Sequence, residues 1–205
     1  MADVAANSFL GDRRIEVINN GIDLSVFRPR KSDFAKRYKI DNKKIILGIP
    51  KSGLQYYIEL RRQLPSQYHI VLVSLDKNEI NNLPEGMTGI PYTNSAEELA
   101  EIYSAADVFV NTTLADTFPT VNLESLACGT PIVTFKTGGS AEIIDEKTGI
   151  AIERRDIPAM CEAVKKICSG PDRSSDCVSR AERLYNAKDR FNDYIDLYNR
   201  TGRFK

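Results

Sequence analysis

Between Ala115 and Ile144 the chain reads ADTFPTVNLESLACGTPIVTFKTGGSAEII, and from Phe118 to Phe135 it carries little formal charge beyond Glu124. Val121, Leu123, Leu126 and Ala127 surround that Glu on what the spacing predicts as a largely buried helix. A carboxylate in such a place needs hydrogen-bond or ligand partners, because an unpaired buried charge is costly. The position equally suits a Glu near a helix N-terminus, favoured by about 0.3–1 kcal/mol of dipole interaction and otherwise solvated. Asp116 stands eight residues earlier, in the loop that follows a strand expected at Val108–Val110. Two carboxylates so placed can converge on a polyol and accept hydrogen bonds from paired hydroxyls. Free backbone N–H groups at the helix start near Thr120 can meet a phosphate.

Two glycine-bearing turns are further candidates. Gly48-Ile49-Pro50-Lys51-Ser52-Gly53 leaves a strand for a helix and contains a Lys, a combination that can cradle phosphate, although ordinary turn glycines explain it as well. It is neither G-x-G-x-x-G nor a Walker A loop. Thr137-Gly138-Gly139-Ser140 leads into another expected helix, where close packing and a cap at Ser140 are sufficient reasons for it. The only His, His69, reads as structural within a strand. Cys128, Cys161, Cys168 and Cys177 form no C-x-x-C pair, so metal-ligand spacing is absent and no nucleophile–base arrangement is apparent.

These residues need elements to position them. Short runs rich in Val, Ile, Leu and Phe are expected as strands at Ile46–Ile49, Ile70–Ser74, Gly89–Pro91, Val108–Val110, Ile132–Phe135 and Ile150–Ile152. They are continuous rather than alternating, which suits strands covered on both faces of a parallel sheet. Helices are expected at Leu54–Leu64, Ala96–Ala105, Val121–Cys128 and Ala141–Asp145, the second opened by a capping box of Ser95 and Glu98. From about Pro158 the pattern stays helical to the end, with a break at Gly170-Pro171. Arg14–Ile18 reads as a further strand, and Asn19-Asn20-Gly21-Ile22-Asp23 as a turn whose Asn-Gly accepts positive φ. The alternation predicts an α/β fold: a Rossmann-like, doubly wound parallel sheet of about six strands with C-terminal helices. Residues 1–13 are expected as a tail or linker remnant, and 14–205 as one domain.

Composition narrows the classes. The 205 residues carry 28 basic and 28 acidic side chains, so no net charge draws the chain to nucleic acid or anionic lipid. Apolar runs are too short to span a bilayer and no secretory signal is visible, which predicts a soluble, cytoplasmic protein.

Four segments, in order, resemble one family. Asn20-Gly21-Ile22-Asp23 with Phe27 resembles N-G-[IV]-D-x-x-x-F, and Tyr103-Ser104-Ala105-Ala106-Asp107-Val108 resembles Y-x-x-A-D-V. Asp116 through Glu124, continued by Ala127-Cys128-Gly129-Thr130-Pro131-Ile132-Val133, resembles an E-x7-E motif and its sequel. Gly138-Gly139 with Glu142-Ile143 and the later Gly149 completes the set. The family is the family 4 (group 1) retaining glycosyltransferases of the GT-B fold, and the match covers about residues 14–170 of their C-terminal domain.

The resemblance implies that Glu124 holds ribose hydroxyls and Asp116 the donor-sugar hydroxyls. The backbone of Phe118, Pro119 and Thr120 would lie beside sugar and diphosphate, Gly48 would stand in the first turn, and Lys51 would be the nearest equivalent of a diphosphate-gripping lysine. It implies a nucleotide diphosphate sugar as substrate, no metal and no cofactor. The acceptor would be a glycan or lipid-linked molecule, commonly in bacterial surface polysaccharide synthesis, with peripheral membrane association conceivable for the full enzyme. The resemblance further implies that an N-terminal acceptor domain or partner subunit, expected to be missing from this chain, completes the enzyme. Three departures stand out: Asp116 replaces a Glu, Gly-Phe-Gly becomes Thr117-Phe118-Pro119, and only Pro50-Lys51-Ser52 separates Ile49 from Gly53. The alternative reading is a non-catalytic nucleotide-binding or interaction module with a degenerate phosphate loop. A sugar-nucleotide epimerase and a Rossmann dehydrogenase fit the motifs less well.

Overall fold

The computed structural model describes residues 7–8, 15–50 and 53–202. Its six strands are β1 (Lys44–Gly48), β2 (Tyr68–Val73), β3 (Met87–Ile90), β4 (Val108–Asn111), β5 (Ile132–Phe135) and β6 (Gly149–Ile152). All pairs are parallel, in the order β3-β2-β1-β4-β5-β6. The chain therefore winds outward from β1 in one direction and from β4 in the other. Between those two strands the crossovers reverse, and a crevice opens at their carboxyl ends.

Two layers of helices cover the sheet. Short α1 (Phe34–Arg37), α4 (Ala96–Ala105), α5 (Thr120–Ala127) and α7 (Ser174–Tyr185) lie on one face, packed on Ile45, Leu47, Val71, Phe109 and Ile132. On the other, α2 (Leu54–Gln63) and α6 (Ile157–Ser169) pack on Ile46, Ile70, Leu72, Val108, Val110 and Val133. Neighbouring strand residues point to opposite faces, so burial on both sides is what makes the strands continuously apolar. A small α3 (Lys77–Asn81) opens with a complete capping box of Asp76 and Glu79. The last helix, α8 (Ala187–Thr201), buries none of its residues.

The expected strands agree with the sheet to within two residues at each end, and Leu54, Ala96 and Ala105 are correct helix limits. At the start of α4 the Ser95 hydroxyl accepts the Glu98 N–H as expected, but the Glu98 carboxylate takes the Asn94 N–H and leaves the box half-formed. Ala141–Asp145 is not a helix. Its carbonyls are claimed from outside: Arg180 donates to Glu142 O and Ile143 O, and the Tyr185 hydroxyl donates to Ile143 O. Nor do residues 15–18 form a strand: among the described residues no strand pairs with them, and Ile15 and Val17 are exposed. Gly21 does not use positive φ. It is required because a Cβ there would stand 2.5 Å from Ala187 Cα, where Ile22 bridges Asn186 in parallel. The tail at 1–13, Arg14 and Lys51 lie outside the described residues, apart from an isolated turn at 7–8.

Asp107 has a purely structural task. Its carboxylate accepts the Ile45 N–H at 2.8 Å and pairs with Lys44 at 2.8 Å, tying the entry of β4 to that of β1.

Candidate functional site

The switch point between β1 and β4 places two turns side by side. Ile49 and Pro50 follow β1, and Thr112 and Thr113 follow β4; with Asn111, Asp116, Pro119, Thr120 and Val121 they line a cavity of about 30 Å³. Its enclosed part is on the scale of a water molecule. A larger ligand has to lie along the open edge.

Asp116 stands at this cavity, half-buried, with Oδ1 accepting the Phe118 N–H at 3.0 Å. The loop around it is seated on the two glycines after β5. Gly139 N donates to Asp116 O at 3.3 Å, and a Cβ on Gly138 or Gly139 would run into the carbonyls of Asp116 and Thr117. Gly138 also has φ +46°, a conformation that side chains resist. Close packing is thus the task of this glycine pair. Ser140 caps no helix; its hydroxyl lies 3.4 Å from Thr137 Oγ1.

Pro119 is the residue before α5, buried and extended at φ −67°, and no side chain caps the helix. The first N–H groups of α5, at Thr120 and Val121, have no acceptor within the helix by position, and both residues line the cavity. Glu124 lies one turn on from Thr120, on the same side of α5. It does not line the small cavity. Its Oε2 accepts the hydroxyl of Tyr103, from α4, at 3.0 Å. Burial, reinforced by the Glu124 carboxylate, holds the Tyr103 phenol well above its usual 10, so the hydroxyl stays a donor. The far end of α5 turns off at Gly129, φ +83°, with Thr130 N bonding back to Ser125 O at 2.9 Å.

Phe118 points elsewhere. Its ring meets Tyr185 edge-on at 5.8 Å, and its carbonyl accepts from Asn20 Nδ2 at 3.2 Å. Gly48 is buried at the end of β1, where a Cβ would enter the ring of Tyr57. The Tyr57 hydroxyl donates to Val110 O at 2.7 Å and locks β4 beside β1. Sequence reasoning missed Tyr103 and Asn20 as site-forming residues, although both lie in the segments that carry the resemblance. It also missed a buried pair, in which Asn111 Nδ2 donates to Asn122 Oδ1 at 2.9 Å. Two amides inside an apolar run were the available signal. Among the described residues no cluster of three His, Cys, Asp or Glu side chains could hold a metal ion.

A second opening adjoins the first. Ile15, Val17, Ile18, Thr117, Phe118, Tyr194 and Leu197 line a groove of about 410 Å³, with Glu142 at its polar side.

A doubly wound sheet with an uncapped helix and a carboxylate at its switch point defines one Rossmann-like domain with a ligand edge. The chain belongs to the glycosyl transferases group 1 family, which it matches over residues 47–169. It is similar to sulfoquinovosyl transferase SQD2 of Arabidopsis thaliana, 25% identical over 169 residues that cover 76% of this chain and 33% of that protein. In structure it is similar to sucrose-phosphate synthase (tll1590) from Thermosynechococcus elongatus, with a TM-score of 0.83, 23% identity, and 98% of this chain on 56% of that one. It also resembles Anabaena Alr3699/HepE, solved in complex with UDP-glucose, with a TM-score of 0.81, 16% identity, and 97% of this chain on 60% of that one. The chain spans half or less of the curated relatives it matches first, from 33% to 49% of their length. The family and the GT-B-type fold expected from the motifs are thereby established. No helix among the described residues is long and apolar enough to cross a membrane.

Proposed function

We propose that this chain is the donor-binding C-terminal domain of a glycosyltransferase that moves a sugar from a nucleotide diphosphate sugar to a glycan or lipid-linked acceptor. The observation that carries the reading is the meeting of Asp116 with the uncapped start of α5 in one cavity at the switch point, with Glu124 a turn further along the same side. In this reading the α5 N–H groups meet the diphosphate, Asp116 accepts hydroxyls of the sugar and Glu124 those of the ribose. During transfer the bond from the anomeric carbon to the diphosphate oxygen breaks. The oxygen keeps the electron pair, and the acceptor hydroxyl bonds to that carbon and passes its proton to the departing diphosphate. Developing charge on the diphosphate falls at the helix N-terminus, and the resemblance assigns Lys51 to the same charge, so in this proposal the reaction needs no metal and no cofactor. A cytoplasmic site and a role in bacterial surface polysaccharide synthesis are part of the same proposal. The complex of a structural neighbour with UDP-glucose supports the donor class.

The small cavity and the open edge support a partner that closes the cleft. So does α8, whose Phe191, Tyr194 and Ile195 follow helical spacing yet remain 66%, 42% and 43% exposed. A second folded unit of the size by which the relatives exceed this chain would cover that stripe together with Ile15 and Val17. We assign that unit the acceptor.

Calorimetric titration with UDP, GDP and ADP tests the donor site. One nucleotide should bind, Glu124→Ala should abolish its binding without unfolding the chain, and the chain alone should show negligible transfer. The second reading is a non-catalytic binding or interaction module, favoured by the three residues left between Ile49 and Gly53. A well-folded chain that binds none of the three nucleotides would favour that second reading.

A further inference from the structure

Tyr103 belongs to α4, whereas Glu124 belongs to α5. Its ring is fully buried, edge-on to Phe27 at 6.5 Å and to Phe109 at 5.4 Å, and Thr130 Oγ1 holds its backbone carbonyl at 2.6 Å. Neither ring nor backbone has room to swing. For packing alone Phe would serve as well, since a buried hydroxyl is a cost unless it is bonded. This hydroxyl ends 3.0 Å from Glu124 Oε2 and 3.2 Å from Val121 O. One phenolic proton cannot be given in full to two acceptors, and an ionised carboxylate is the stronger of the two.

We propose that Tyr103 is the positioning residue for Glu124: anchored in a neighbouring helix, its hydroxyl fixes the Glu124 carboxylate in the orientation that receives the paired ribose hydroxyls. The proposal rests on the reading of Glu124 as a ribose-binding residue, and it assigns a task to the first residue of the Y-x-x-A-D-V segment. Such an arrangement removes the need to order a flexible Glu side chain when the ligand arrives. Two ionisable groups near the Tyr103 hydroxyl are uncharged. The Cys128 thiol is pushed up to about 12, mainly by burial, and the buried Tyr57 phenol likewise to about 12, so both remain neutral. Arg30, which faces Cys128, donates instead to Val26 O at 2.8 Å.

Tyr103→Phe removes one oxygen atom and keeps the ring, and Glu124→Gln identifies the Glu124 resonance in carboxyl-carbon NMR. In Tyr103→Phe the titration midpoint of the Glu124 carboxyl should rise, because a hydrogen bond to the charged form is lost. The affinity for the bound nucleoside diphosphate should fall about tenfold, the scale of one hydrogen bond to a charged group. The preference for that nucleotide over its 2′-deoxy and 3′-deoxy analogues should shrink, which loss of packing would not cause. An unchanged Glu124 midpoint overturns the proposal, as does a uniform loss of affinity for ribo and deoxy ligands alike. If the unaltered chain binds no nucleotide, the donor-site reading fails, and the NMR titration still decides whether Tyr103 governs Glu124.

Discussion

At Gly139 a single missing methyl group decides where a carboxylate stands. The Thr117 carbonyl occupies the space of a Cβ, and Gly139 N bonds Asp116 O. Gly139→Ala should therefore push the 116–118 loop away, lower the melting temperature by several degrees and weaken binding of a nucleotide sugar; an intact affinity would show that the loop is seated by other contacts. Asp116→Asn is a milder test. The amide oxygen can still accept the Phe118 N–H, so the fold should persist, while the advantage of a nucleotide sugar over the bare nucleotide should fall in competitive titration. His69 makes a prediction of a different kind. Burial, helped by Arg61 and Lys43, lowers its pKa below 6.5, and its ring nitrogen bonds Thr88 Oγ1 at 2.8 Å. A lowered folded-state pKa means stability that is present above 6.5 and lost as pH falls through the folded value. His69→Gln should flatten the melting temperature over that acid range, as a scan at several pH values would report.

At the scale of elements, the segment between β5 and β6 is held by a helix that comes later in the chain. Arg180, on α7, donates to Ile143 O and to Asp145 Oδ2, both at 2.6 Å. Burial opposes the ionised Asp145, but the Thr148 hydroxyl, Arg180 and the Lys147 and Thr148 N–H groups together keep its pKa below 3.8. The contribution of this contact is thus complete above pH 3.8 and fades as pH falls through the lower folded value. Arg180→Ala should cost on the order of 2 kcal/mol in urea unfolding at neutral pH, because the Asp145 carboxylate loses a charged partner and Ile143 O keeps only the Tyr185 hydroxyl as donor. The same contacts explain why Ala141–Asp145, readable as a helix, is irregular. Local spacing cannot reveal a side chain 37 residues away that takes the helix carbonyls.

For the whole molecule the telling contrast is between a sheet buried on both faces and an α8 with no buried residue. An isolated helix of that length owes most of its stability to packing, so its exposed stripe is expected to be covered in the assembled protein. Ile195→Ser should change the unfolding free energy of this chain by less than about 0.5 kcal/mol, since Ile195 is 43% exposed. It should disturb association with the second unit instead, and a large loss of stability in the isolated chain would place the stripe inside this domain.

The strands and the family were legible because continuous apolar runs and ordered motifs are local properties, and parallel strands buried on both faces produce the former directly. Asp116 and the start of α5 were legible as a pair for the same reason: they are close in sequence as well as in space. The Tyr103–Glu124 bond, the Phe118–Tyr185 contact and the service of Gly48 to Tyr57 were not. Each joins residues whose separation is set by the crossing of elements, and no one-dimensional period records that. The strand expected at Arg14–Ile18 is absent over residues 15–18 on similar grounds, since a run of β-type residues forms a strand only where an edge is there to pair with it. By itself the sequence determined the fold class and the chemistry on offer. Tertiary structure decided which groups face one another, because burial and hydrogen bonding are satisfied between elements and not along the chain.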